Sequence, residues 1–188
     1  FINAVKADPY ARRRADLAIV TFGGSDEVKT VQDFRPVCQS EAPRLQASGC
    51  TPMGAGVKKA VTMTIERGHM YDDMGTPKHT PWVVVISDGA PTDEYKEAFA
   101  LAHQREEDGR LATWFIGTPG FSESVALDLT PRVLKLANHD YSEFFKWLAQ
   151  NTKVISVTHT GTTPQVAPLP EALEVVERPI PNAWYANL

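Results

Sequence analysis

Trp82-Val83-Val84-Val85-Ile86-Ser87-Asp88-Gly89 is an uninterrupted apolar run that closes on a hydroxyl, a carboxylate and a glycine. A short β-branched run bounded by a turn reads as a strand buried on both faces, and such strands belong to parallel sheets covered by helices. Leu17-Ala18-Ile19-Val20-Thr21-Phe22 and Leu111-Ala112-Thr113-Trp114-Phe115-Ile116-Gly117 have the same character. Amphipathic segments fall between the three runs, and that alternation predicts an α/β domain with a Rossmann-like open sheet, mainly parallel, with helices on both faces.

Working outward from these runs, Gly23-Gly24-Ser25-Asp26 reads as a turn, and Val28-Lys29-Thr30-Val31-Gln32-Asp33-Phe34 as a more polar strand that pairs antiparallel at a sheet edge. Thr51-Pro52 marks a helix start, a hydroxyl cap followed by proline at the first helical position. Val57, Val61, Met63, Ile65 and Met70 supply that helix's apolar side, and a polar loop is expected from Gly68 to Pro81. Pro91-Thr92-Asp93-Glu94 opens the next helix with acidic residues in its first turn, where the helix dipole favours them. Tyr95, Phe99, Leu101 and Ala102 face inward, and Asp108-Gly109 ends it. A short helix from Ser122 to Leu129, a short strand from Val133 to Leu136 and a final helix from Tyr141 complete the domain, expected to span residues 1–158. Beyond it, Pro164, Pro168, Pro170, Pro179 and Pro181 predict an extended tail over 159–188 that ends in Trp184-Tyr185.

A chain of 188 residues is long enough for one ordinary core, and 43% hydrophobic with 22% charged residues is globular composition. The net charge of −4 argues against a nucleic-acid binder. Arg12-Arg13-Arg14 is the only basic cluster and reads as a solvated loop before a strand. No apolar run is long enough to span a membrane. The two cysteines, Cys38 and Cys50, form no metal or disulfide pattern, which points to a reducing, cytoplasmic compartment. Phe1-Ile2-Asn3-Ala4-Val5-Lys6 reads as the last turns of a helix begun earlier, so an upstream extension is expected.

The chemistry gathers in two motifs, Ser48-Gly49-Cys50-Thr51-Pro52-Met53-Gly54 and Ile86-Ser87-Asp88-Gly89-Ala90-Pro91-Thr92-Asp93. In an open parallel sheet, ligands bind at the carboxyl ends of the strands. Asp88 falls at such an end, and Thr51 opens a helix that can point to the same crevice. A hydroxyl and a carboxylate are hard oxygen donors suited to Mg²⁺, or to Mn²⁺ or Ca²⁺. Taken singly, each has a plainer role: helix cap for Thr51, turn residue for Asp88.

The two motifs, the order of elements and the final Phe144-Phe145-Lys146-Trp147 helix resemble a von Willebrand factor A domain, most like the bacterial branch associated with tellurium resistance. The likeness covers roughly residues 1–157. It implies a metal-ion-dependent adhesion site in which Thr51 and Asp88 are ligands and Ser25, Asp26, Thr92 and Asp93 form the rim. It implies a Mg²⁺-type cation whose open position is filled by an acidic side chain of a partner protein. The implied setting is a stress-response assembly with kinase and phosphatase partners. The family's Asp-x-Ser-x-Ser loop has no match in these residues, nor has the central strand before it. Without that loop the chain is expected to bind Mg²⁺ weakly or not at all.

The same residues admit readings from other classes. The Asp88 strand has a superficial likeness to haloacid-dehalogenase-type phosphatases, in which an aspartate attacks phosphorus. The general-acid position two residues on is Ala90, so no enzyme is expected. No phosphate-binding, serine-hydrolase or zinc-protease motif occurs. A metal-free structural scaffold remains open.

Overall fold

The computed structural model describes residues 1–24, 27–46, 48–136 and 140–177. Two short helices, α1 (Ile2–Lys6) and α2 (Ala11–Arg14), precede β1 (Asp16–Gly23) and β2 (Glu27–Pro36). Then follow α3 (Met53–Asp73), β3 (Trp82–Ser87), α4 (Lys96–Glu107), β4 (Ala112–Gly117), α5 (Glu123–Leu129), β5 (Val133–Leu136), α6 (Ser142–Val157) and β6 (Leu173–Val175). Each of the three apolar runs is a strand, so the fold is α/β.

The strands form two sheets rather than one. β1 pairs antiparallel with β2, while β3, β4 and β5 are parallel neighbours and β6 closes that sheet antiparallel to β5. Helices cover both faces. On one side Met53, Val57 and Val61 of α3 share a core with Val83 and Val85 of β3, Phe99 and Ala102 of α4, and the partly buried Phe22 of β1. On the other, Phe144 and Trp147 of α6 pack on Trp114, Leu134 and the partly buried Trp82, Val84 and Ile86. Ala149 of α6 joins Ile2, Val5 and Ala11 against Leu17 and Ile19 of β1. Thus α3 and α6 each touch both sheets, and alternate residues of β1 and β3 serve opposite layers.

Several local expectations are corrected. Arg12-Arg13-Arg14 is the last turn of a helix, α2, instead of a loop. The expected loop from Gly68 starts later, because α3 runs on to Asp73. The extra turn is held from outside the helix: the Asp16 carboxylate accepts hydrogen bonds from Arg67 Nε at 2.9 Å, from Arg67 Nη2 and from the Tyr71 hydroxyl. Met70, expected on the apolar side of α3, is exposed. The proline-rich stretch is not irregular throughout, since Leu173–Val175 makes β6. The approach to β6 is fixed by buried Asn151, whose Nδ2 donates to Trp147 O at 3.0 Å and whose Oδ1 accepts from Ala167 N at 2.7 Å. Pro179, Pro181 and Trp184-Tyr185 lie outside the described residues.

The Asp16–Arg67–Tyr71 cluster generates two expectations. Arg67→Ala should lower unfolding free energy by about 2 kcal/mol, because it strips a partly buried carboxylate of charged donors; urea denaturation measures this. Burial, and then the Asp16 carboxylate, push the Tyr71 hydroxyl above its usual pKa. A folded-state pKa that is raised gives stability that is present below the unfolded value, about 10 for tyrosine, and lost as pH rises through the folded one. The alkaline fall in melting temperature above that pH should therefore be shallower in Tyr71→Phe.

Candidate interaction site at the strand ends

Thr51 and the loop that carries Asp88, distant in sequence, come together at one end of the domain. β1 ends on the segment leading to Thr51: Gly24 N donates to Ser48 O at 2.6 Å, and Cys50 N donates to Gly24 O at 3.2 Å. Gly49 takes a positive φ of 72° there, and a Cβ on it would lie 1.8 Å from Gly24 O, so only glycine allows this crossing. β3 ends at Ser87, and the loop carrying Asp88 follows. A Cβ added to Gly89 would sit 3.1 Å from the Thr51 hydroxyl oxygen, so Thr51 lies against the residue next to Asp88.

The two motifs are then clasped by their backbones. Thr51 N donates to the Thr92 hydroxyl at 3.0 Å, and Thr92 N donates back to Thr51 O at 2.9 Å. The neighbouring Asp93 carboxylate accepts Gly54 N on Oδ1 at 2.9 Å and Ala55 N on Oδ2 at 2.7 Å. Asp93 thereby satisfies two of the amides that the first turn of a helix leaves unpaired, and puts a negative charge at the positive end of its dipole. Gly54 makes room for this loop, since a Cβ there would lie 2.4 Å from Glu94 O.

This revises the expected capping. The residue before α3 is Pro52, and no side chain of its own segment caps it; the cap arrives from residue 93. The helix expected from Pro91 likewise begins later, at Lys96, because residues 91–94 are spent on the clasp. The Gly89 amide is met by the Ser87 hydroxyl at 3.3 Å. Among the described residues the Asp88 side chain is exposed and has no hydrogen-bond or ion-pair partner. Thr92 and Asp93 do stand beside the two expected ligands, but both already hold backbone amides. Ser25 and Asp26 lie outside the described residues. The sequence reading missed Thr118, just past β4, whose amide donates to Ser87 O at 3.2 Å and whose buried hydroxyl has no hydrogen-bond partner among the described residues.

The donor set can be weighed against a cation. Thr51 and Asp88 offer two oxygens of the right hardness, whereas Mg²⁺ demands near-octahedral coordination. No group of three or more histidine, cysteine, aspartate or glutamate residues capable of holding a metal occurs among the described residues. Thr51 and Asp88 by themselves supply fewer oxygens than such coordination requires. Cys38 and Cys50 are free and exposed, and no helix among the described residues is long and apolar enough to cross a membrane.

No family model matches the chain, and no curated protein matches it. Among solved structures it is similar to proximal thread matrix protein 1 from the mussel byssus, with 18% identity and a TM-score of 0.50 over 82% of this chain. The chain spans 40% of that protein's length. At this identity the likeness concerns the fold alone.

Two variants test the clasp by chemical denaturation. Asp93→Ala should cost about 1–2 kcal/mol through loss of the cap. Gly54→Ala should cost about 1–3 kcal/mol because the new methyl meets backbone that cannot step aside.

Proposed function

We propose that this is a von Willebrand A-like protein-interaction domain that presents the Thr51–Asp88 end to an acidic side chain of a partner protein. In that reading the two sheets are halves of one open sheet. The observation that carries it is the exposed Asp88, without a hydrogen-bond or ion-pair partner among the described residues, at the end of β3 and next to Gly89, against which the Thr51 hydroxyl lies, where open α/β sheets take ligands. The clasp supports it too: it fixes both loops through main-chain contacts and leaves these two side chains uncommitted.

A Mg²⁺-type cation bridging to the partner needs further oxygen donors, from a segment beyond these residues or from the partner itself. A bacterial, cytoplasmic stress-response setting with kinase or phosphatase partners belongs to the same proposal, supported by the resemblance and by the free thiols. Turnover is no part of this reading, which requires capture alone.

A second reading, a metal-free scaffold, draws on one observation: Asp93, the acidic residue nearest the pair in sequence, is consumed as a helix cap. Calorimetric titration with Mg²⁺ and Mn²⁺ separates the two. For the 188-residue chain we expect no binding tighter than about 1 mM, since a missing carboxylate at about 4 Å forgoes roughly 4 kcal/mol near a surface. Tighter binding that Asp88→Ala abolishes would mean that the ligand set is already complete within these residues. In the protein carrying its further donors, saturable binding lost in Asp88→Ala supports the interaction site, and its absence leaves the scaffold.

A further inference from the structure

β2 pairs with β1 on one side and with no strand on the other among the described residues. Along its ten residues, alternate backbone amides and carbonyls therefore point away from β1 with no strand to receive them. At Val31 the ladder to β1 skips a step, since Ile19 faces Gln32 and Val20 faces Thr30. Val31 thus has no partner on β1, and 44% of its surface is open, which is unusual for a large apolar side chain of this domain.

The charges of this strand are arranged about Val31. Glu27 and Lys29 precede it by four and two residues, Asp33 and Arg35 follow it by two and four, and all four are exposed. Their signs run negative, positive, negative, positive. Glu27 and Lys29 form an ion pair within the strand, whereas Asp33 and Arg35 form none among the described residues. Positions symmetric about a centre, with opposite signs at each matched pair, make the strand complementary to its own reverse.

We infer that the free edge of β2 is a self-association surface, and that its occupant is β2 of a second copy of this chain, antiparallel and centred on Val31. Glu27 then lies opposite Arg35 of the second copy, and Lys29 opposite its Asp33, each pair occurring twice about a two-fold axis. Val31 meets its own copy on that axis, and half-buried Val28 lies opposite half-buried Phe34. α3, which reaches β2 through Met63 at Thr30 and through Arg67 over the Phe34 ring, falls on the same face in both copies. The two-stranded sheet of each copy becomes half of a four-stranded one.

Charge selects this register. Antiparallel registers two residues to either side set Glu27 against Asp33 or Lys29 against Arg35, like on like. A slip of one residue turns the exposed positions of the second copy to the opposite face. Parallel pairing in register sets every charge on its own kind, which is destabilising. Bulges and edge charges ordinarily turn foreign strands away, and a second copy is the strand whose charges answer them. The association requires no cation and is independent of the Thr51–Asp88 end.

The test is sedimentation velocity of the 188-residue chain over a concentration series, in EDTA and with a thiol reductant so that neither a cation nor Cys38 or Cys50 joins two copies. The chain should form a dimer and nothing larger, and added salt should weaken it. Lys29→Glu and Asp33→Lys should each raise the dimer dissociation constant by about tenfold or more, because each turns two attractive pairs into two repulsive ones. The double variant should recover the original association. An equal mixture of the two single variants should form a mixed dimer, since every cross-strand pair in it is again opposite in sign; that recovery also shows that both substituted chains fold. A chain that stays monomeric up to about 1 mM, the weak end of specific affinity, would overturn the inference. So would a dimer indifferent to both single variants, or a double variant and a mixture that both fail to recover.

Discussion

Among the described residues, hydrogen-bond pairing of strands does not join the two sheets; helix packing does. α3 contributes Met53, Val57 and Val61 to a core that includes β3 residues and reaches Phe22 of β1. α6 does the same on the opposite face, with Trp147 against the β3–β4 layer and Ala149 against the β1 layer. Close approach matters at one point in particular. Gly56 of α3 faces Phe22, and a Cβ there would lie 2.6 Å from the ring. Side-chain burial is non-directional, so it can hold two sheet edges side by side without closing the ladder between them.

The site inherits its order from that arrangement. Because β1 and β3 finish at the same end, the loops that follow them collide, and the collision is resolved by an exchange of backbone hydrogen bonds between Thr51 and Thr92. Asp93 adds a charged cap to α3, which couples the position of the longest helix to the loop beside Asp88. Thr92 and Asp93 build the platform through bonds to backbone amides, while Asp88 makes no hydrogen bond or ion pair among the described residues.

Much of this was legible in the chain. Runs such as 82–87 and 112–117 are apolar at nearly every position, and burial on both faces leaves no other reading for runs so short. Asp88 follows its strand, and the antiparallel partner of β1 is where its polar alternation placed it. Boundaries failed where a contact from afar decided them. Gly68 looked like the end of a helix, but Arg67 and Tyr71 reach Asp16 and hold the next turn. The proline-rich stretch looked irregular, but buried Asn151 fastens Ala167, and three residues beyond return as β6.

By itself, then, the sequence determined the longer strands and helices, though not α2 or β6, because periodicity and run length are local properties. It also placed a hydroxyl and a carboxylate at the ends of two such elements. Only the tertiary structure decided that Asp93 caps a helix beginning some forty residues earlier, that Thr51 lies against Gly89, and that α3 and α6 each pack on both sheets. Those are facts of proximity between distant segments, set by how the helical layers pack, and no local pattern in the chain encodes them.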